Sequence, residues 1–264
     1  MIAWDLRSAR EHAALGAGLP PPGLLSAPER VFYDRLKTPR RRREWVLGRW
    51  AAKALVRSFL RARGQDLPAR ELTIAPDAFG APYVLAPSLG RLPLTITLSH
   101  RDGQALVALV DQPDAPLGAD LELVEPRSPG FVDDFFTGRE AHAVAESADP
   151  DRRVTEIWSL KEAALKAVRL GLTVDTRRVE VCPRVQAGPD WHDASVELAL
   201  EFVKKRGCAF VRDEGPYVAT VAWLGEGAQQ APSAELRGGP VLEGPQEKEQ
   251  GEAGAPPRAA DAAA

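Results

Sequence analysis

Apolar side chains recur at steps of three and four through residues 44–62, where Trp45, Leu47, Ala51, Ala52, Leu55, Val56, Phe59 and Leu60 share one stripe. The spacing predicts a long amphipathic helix. It follows turn signals at 19–23, three prolines among them, and a polar, basic stretch ending in Arg40, Arg41, Arg42 and Arg43. Short extended runs at 72–75 and 83–85 flank a turn of Phe79, Gly80, Ala81 and Pro82. Leu94, Ile96 and Leu98 then alternate with Thr95 and Thr97. A second strand at 105–110 follows the Asp102-Gly103 pair, so an antiparallel hairpin is predicted.

In the second half, 117–124 reads as a strand, 131–146 and 151–170 as helices, and 179–182, 196–203, 208–211 and 217–223 as strands. Helices precede antiparallel strands in each half, the pattern of α+β lobes rather than a doubly wound parallel sheet. The shared order suggests an internal duplication, although the two halves show little sequence similarity.

Composition divides the 264 residues near position 226. Residues 227–264 are rich in Gly, Pro and Ala, with Leu236, Val241 and Leu242 the large apolar groups, too few to offset ordering entropy; a disordered tail is expected there. The divisions expected are a lobe at 1–115, a second at 116–226 and the tail at 227–264. The first 226 residues carry 31 charges of each sign, which argues against nucleic acid as the main partner. No run approaches the roughly 20 apolar residues of a membrane span, and Asp5 and Glu11 interrupt any signal-peptide core. Two cysteines, Cys182 and Cys208, supply neither a disulfide framework nor a thiolate zinc site, so a reduced, cytoplasmic setting is expected.

Two constellations carry candidate chemistry. The period of two along 117–123 puts Leu117, Ala119, Leu121 and Leu123 on one face and Gly118, Asp120 and Glu122 on the other. Two carboxylates on one strand face can grip a hard cation, with Gly118 letting a ligand approach the backbone. An ordinary solvated face is the alternative. In the run Trp158-Ser159-Leu160-Lys161-Glu162-Ala163-Ala164-Leu165-Lys166, Glu162 and Lys166 are i, i+4 neighbours and Arg169 lies at i+7 from Glu162. A surface ion pair or a Ser159–Glu162 capping box would also account for it. Three carboxylates converging on one point repel by roughly 4 kcal/mol per close pair at an effective dielectric near 20, so a metal or a raised pKa is needed to hold them.

The run Gly118-Ala119-Asp120-Leu121-Glu122, followed 36 residues after Glu122 by the Trp158–Lys166 run, resembles the paired signature of the 4'-phosphopantetheinyl transferase superfamily. Lesser matches are Arg43-Glu44-Trp45 with Gly48, Arg49 and Lys53, then Phe79-Gly80-Ala81-Pro82, and Leu98-Ser99-His100 with Gly103. Together they span about residues 28–223. The length is similar to the Sfp type rather than the short holo-acyl-carrier-protein synthases. That resemblance implies a pseudo-dimer of two similar lobes, each a long helix on a small antiparallel sheet, in a monomer whose active site lies between the lobes.

The activity implied is transfer of the 4'-phosphopantetheine arm of coenzyme A to a serine of an apo acyl or peptidyl carrier protein, releasing adenosine 3',5'-bisphosphate. Asp120, Glu122 and Glu162 would hold Mg2+, with Mn2+ an alternative, because an all-oxygen donor set disfavours zinc. Glu162, Lys166 and Glu140 would be catalytic, Glu140 matching a glutamate proposed to take the serine proton. Thr137 and Glu140 also fit a capping box, which explains Glu140 without catalysis. Coenzyme A would meet Arg43, Arg49, Gly80, Pro82, Ser99, His100, Lys161 and Lys166. Ala81 stands where the family often has lysine. Which of Arg40 to Arg43 reaches the 3'-phosphate stays open. Phe131, Phe135 and Phe136 either touch the carrier or pack in the core. Two other classes remain: a catalytically silent coenzyme A or nucleotide binder, and a nucleic-acid binder using the arginine run.

Overall fold

The computed structural model describes residues 1–184, 190–200, 203–225, 230–233 and 241–242. Thr38 and Asp149 each accept the backbone N–H three residues on, each precedes a proline, and each opens a long helix. In chain order the first half runs β1 (Ala3–Ser8), the single turn α1 (Ala13–Gly16), α2 (Ala27–Asp34), α3 (Pro39–Arg61), β2 (Thr73–Pro76), β3 (Pro82–Ala86), β4 (Gly90–Arg91), β5 (Thr95–Arg101) and β6 (Gln104–Val110). The second half follows with β7 (Leu117–Leu123), α4 (Pro129–Phe135), α5 (Gly138–Ala145), α6 (Pro150–Ala167), β8 (Val179–Pro183), β9 (His192–Leu200), β10 (Val203–Glu214) and β11 (Tyr217–Trp223). No helix among the described residues is long and apolar enough to cross a membrane.

All strand pairs within the sheets are antiparallel, in the orders β1-β6-β5, β2-β3-β4 and β7-β11-β10-β9-β8. The β5–β6 hairpin turns at Asp102 and Gly103, whose φ values of 43° and 76° are both left-handed, as a two-residue turn matched to strand twist requires. The two halves have one pairing pattern in common, although the first holds two three-stranded sheets and the second one five-stranded sheet. In each, the first strand pairs with the last, and the last with the one before it.

Alternation decides where the core sits. Along β6, Ala105, Val107 and Leu109 face the cluster under α3, while Leu106, Ala108 and Val110 face a second cluster shared with Leu117, Ala119 and Leu121 of β7 and with Trp4, Phe210 and Trp223. On the far side of the larger sheet, Val196, Ala209 and Val218 pack under Trp158, Leu160 and Ala164 of α6. The central strands are therefore buried on both faces, so β6 reads as a nearly unbroken apolar run rather than an alternating one.

The structure departs from the sequence expectations in several places. The helix expected over 131–146 is two helices: Phe136 is extended, and the Thr137–Glu140 capping box starts α5 afresh. Strand β1 and helix α2 were not foreseen. The partner of β1 lies a hundred residues away, and α2 leaves Val31 and Phe32 exposed instead of presenting a clean apolar stripe. Phe136 is buried, and Phe131 and Phe135, both partly buried, pack on Trp158 with ring centroids 5.0 and 5.3 Å away. Most of the tail expected over 227–264 lies outside the described residues, which there are 230–233 and 241–242. Ser233 donates its N–H to the Ile2 carbonyl at 2.8 Å. Val241 is buried in the cluster under α3, and its carbonyl accepts from Arg57.

Candidate active site

Asp120 is the centre of the site. Its position on β7 pairs with Thr220 of β11 and it is 2% exposed. Oδ1 accepts Ser99 Oγ at 2.9 Å and Lys166 Nζ at 2.6 Å, while Oδ2 accepts Ser159 Oγ at 2.8 Å. Lys166 also donates to Ser99 Oγ and to the Ala119 carbonyl. Ser159, Glu162 and Lys166 sit at i, i+3 and i+7 on α6 and so share one helix face. Ser159 lies in mid-helix with its hydroxyl on Asp120 and Thr220, so the Ser159–Glu162 capping box does not exist. Ser99 comes from β5 of the other half, which makes the site a joint product of both.

Glu162 and Glu122 stand near enough to Asp120 for its charge to act on both. Burial, and next the charge of Asp120, pushes the Glu162 carboxyl up to about 7. The same two causes, in the same order, raise Glu122. Arg127 and Arg101 answer Glu122 at 3.3 and 3.8 Å, and Lys166 stands 3.9 Å from Glu162. Among the described residues no three His, Cys, Asp or Glu side chains stand close enough to form a metal cage. Lys166 supplies a positive charge at Asp120. The all-oxygen donor set and the reluctance of Glu162 to ionise nevertheless fit a divalent cation, whose charge would relieve both.

Gly118 does not open the backbone to a ligand. A Cβ there would fall 1.9 Å from the Ala163 carbonyl oxygen and 2.6 Å from the Ala167 nitrogen. The glycine lets α6 lie directly on β7, which brings Glu162 and Lys166 within reach of Asp120.

Beside this group lies a cleft of about 380 Å³ between α2, α3 and the β2–β3 turn. Arg41, Glu44, Trp45, Gly48 and Arg49 reach it because their spacing places them on one face of α3. Gly80 and Pro82 form its rim and His100 its end. Arg49 lies over the Trp45 ring at 4.4 Å and 3.4 Å from Glu29; burial brings its pKa down to about 10. Burial also lowers His100, with Glu44 pulling the other way and Lys166 and Arg41 adding to the fall. His100 thus feels the charges of both the cleft and the carboxylate group.

Three expected residues are not brought here. Arg43 is exposed and does not line the cleft, since two residues from Arg41 is about 200° around the helix. Glu140 and Lys161 satisfy each other in the interior. The Glu140 carboxylate takes the Thr137 and Val181 N–H groups at 2.7 and 2.9 Å and Lys161 Nζ at 2.8 Å, and Lys161 also binds the Thr176 and Val179 carbonyls. A carboxylate so occupied and 2% exposed holds two elements together and has no access to a serine proton. The sequence reading missed Phe32 and Glu29, which line the cleft; Glu29 was hidden in the ordinary capping box it makes with Ser26.

No curated protein matches the chain. Residues 116–222, the segment that supplies Asp120, Glu122, Glu162 and Lys166, match the family model of the 4'-phosphopantetheinyl transferase superfamily, which carries phosphopantetheine-transfer chemistry.

Proposed function

We propose that this protein transfers the 4'-phosphopantetheine arm of coenzyme A to a serine hydroxyl of an apo acyl or peptidyl carrier protein. The observation that carries the reading is the junction of a basic and aromatic cleft with a buried carboxylate group, built from both halves of the chain around Asp120. The serine oxygen forms a bond to the phosphorus bearing the pantetheine arm, and the bond from that phosphorus to the diphosphate bridging oxygen breaks. Adenosine 3',5'-bisphosphate leaves with the bridging oxygen, and the serine hydroxyl proton passes to solvent water.

Lys166 and His100, at the boundary between cleft and carboxylates, meet the diphosphate. Arg49 and Arg41 meet the 3'-phosphate, as guanidinium forks suit phosphate oxygens. Gly80 and Pro82 border the adenine. Asp120, Glu122 and Glu162 would hold Mg2+ or Mn2+, which when bound supplies charge neutralisation at the diphosphate.

The repeated strand order of the two halves supports an Sfp-type pseudo-dimer acting as a monomer, with lobes at 1–115 and 116–226. The unpaired thiols of Cys182 and Cys208 accord with a reducing cytoplasm. The test is to incubate the protein with coenzyme A, Mg2+ and an apo carrier protein and to weigh the carrier intact. A gain of one phosphopantetheine arm, absent with D120A and E162A, is expected; an unmodified carrier with coenzyme A still bound would make the protein a silent binder.

A further inference from the structure

Arg169 stands just past the end of α6 and belongs to neither the cleft nor the carboxylate group. Leu170 donates its N–H to the Leu165 carbonyl at 3.1 Å and Arg169 to that of Lys166 at 3.0 Å, the paired closure that puts the intervening residue in the left-handed region. Arg169 has φ +59°, where glycine is the comfortable occupant. The arginine that stands there instead uses both arms of its guanidinium. Nη1 lies 3.3 Å from Asp77 Oδ2 and Nη2 lies 3.0 Å from Asp114 Oδ1.

Both partners matter to the site. Asp77 builds the β2–β3 turn: its Oδ1 accepts the Phe79 and Ala81 N–H groups at 2.8 and 2.9 Å, and its own N–H donates to the Ala81 carbonyl at 2.8 Å. That turn carries Gly80 and leads into Pro82, the rim of the cleft. Asp114 lies in the connection between β6 and β7, where the chain passes from one half to the other; its other cation, Arg91, is farther away at 3.5 Å. One guanidinium therefore ties the helix bearing Glu162 and Lys166 to the rim of the cleft and to the crossing between halves.

We propose that Arg169 is a positioning residue that fixes the 77–82 turn against the end of α6, and so sets the distance between the adenine end of the cleft and the carboxylates. The inference rests on the coenzyme A reading for its purpose, though not for its geometry. R169G is the informative variant, because it removes the side chain while relieving the left-handed backbone, so the melting temperature should not fall. Two measurements are compared with the wild type: amide exchange at Phe79 and Ala81, and KM and kcat for coenzyme A. Exchange should quicken and KM rise by about tenfold each with kcat little changed, and R169K should fall between.

Unchanged exchange overturns the proposal. Faster exchange with an unchanged KM, in a wild type that transfers the arm, also overturns it. If the wild type modifies no carrier and binds no coenzyme A, the functional reading fails on its own, and the exchange measurement still decides whether Arg169 holds the turn.

Discussion

Lys166 Nζ lies 2.6 Å from Asp120 Oδ1 on another element but 3.9 Å from Glu162, its neighbour one turn away on the same helix. The ammonium thus answers the most deeply buried of the three carboxylates and leaves Glu162, itself partly buried, with no cation closer than 3.9 Å among the described residues. Local sequence neighbours would suggest the reverse pairing. The strength of a charge pair depends on how far each partner is removed from water, and Asp120 is 2% exposed.

Lys166→Met removes the cation and leaves Asp120 buried with two serine hydroxyls. The variant should lose transfer activity and, in the absence of divalent metal, about 2 kcal/mol of stability, since an uncompensated buried charge is costly. Urea unfolding at pH 8 measures this. A midpoint equal to that of the wild type would mean that Asp120 needs no counter-charge.

The Glu162 carboxyl stands at about 7 in the folded chain against 4.5 ordinarily. The folded state therefore holds a proton that the unfolded state releases between these values, and this contribution to stability, full below pH 4.5, is lost as pH rises through 7. Glu162→Gln should match the wild type at pH 5 and exceed it at pH 8 by up to about 3 kcal/mol. Melting curves of both proteins without metal at the two pH values decide it. Added Mg2+ should raise the wild-type melting temperature at pH 8 and leave the variant where it was.

Gly118→Ala should be the most damaging single methyl group in the site. The added Cβ meets the backbone of α6 at 1.9 Å, and backbone cannot swing aside as a flexible side chain can. A loss of about 3 kcal/mol or more, or failure to accumulate folded protein, is expected. Circular dichroism melts showing a wild-type curve would mean that α6 can slide off β7 at little cost.

Arg49 and Arg43 contrast a largely buried cleft arginine of α3 with a solvated one of the basic run. Arg49→Ala should weaken coenzyme A binding by about tenfold or more, as loss of a phosphate contact in a partly buried site does, while Arg43→Ala should stay within about twofold. Titration calorimetry gives both numbers. Equal losses would show that the run acts through general charge rather than through the cleft.

Period and turn chemistry made much of the fold legible. Helix α3 was readable from its apolar stripe, the β5–β6 hairpin from Asp102-Gly103, and β11 from its residues alone. The break between α4 and α5 was legible as well, in the Thr137–Glu140 capping pattern, but the apolar run across it suggested continuity. The site was legible as a set of residues and less so as a set of roles. Glu140 and Lys161 sit in the right order and spacing to serve chemistry, yet both are consumed by each other and by backbone groups of β8 and its approach.

By itself the sequence determined that the segments of α3, α6, β5, β6, β7 and β11 become helix or strand, because 3.6- and 2-residue periods and caps act over a few positions. It also determined that Asp120 and Glu122 share a strand face and that Glu162 and Lys166 share a helix face. Only the tertiary structure decided that Ser99 joins them from the other half, that Arg41 rather than Arg43 lines the cleft, and that Lys166 pairs with Asp120. Those outcomes depend on which faces become buried and which charges lose their water, and both are set by contacts between residues far apart in the chain.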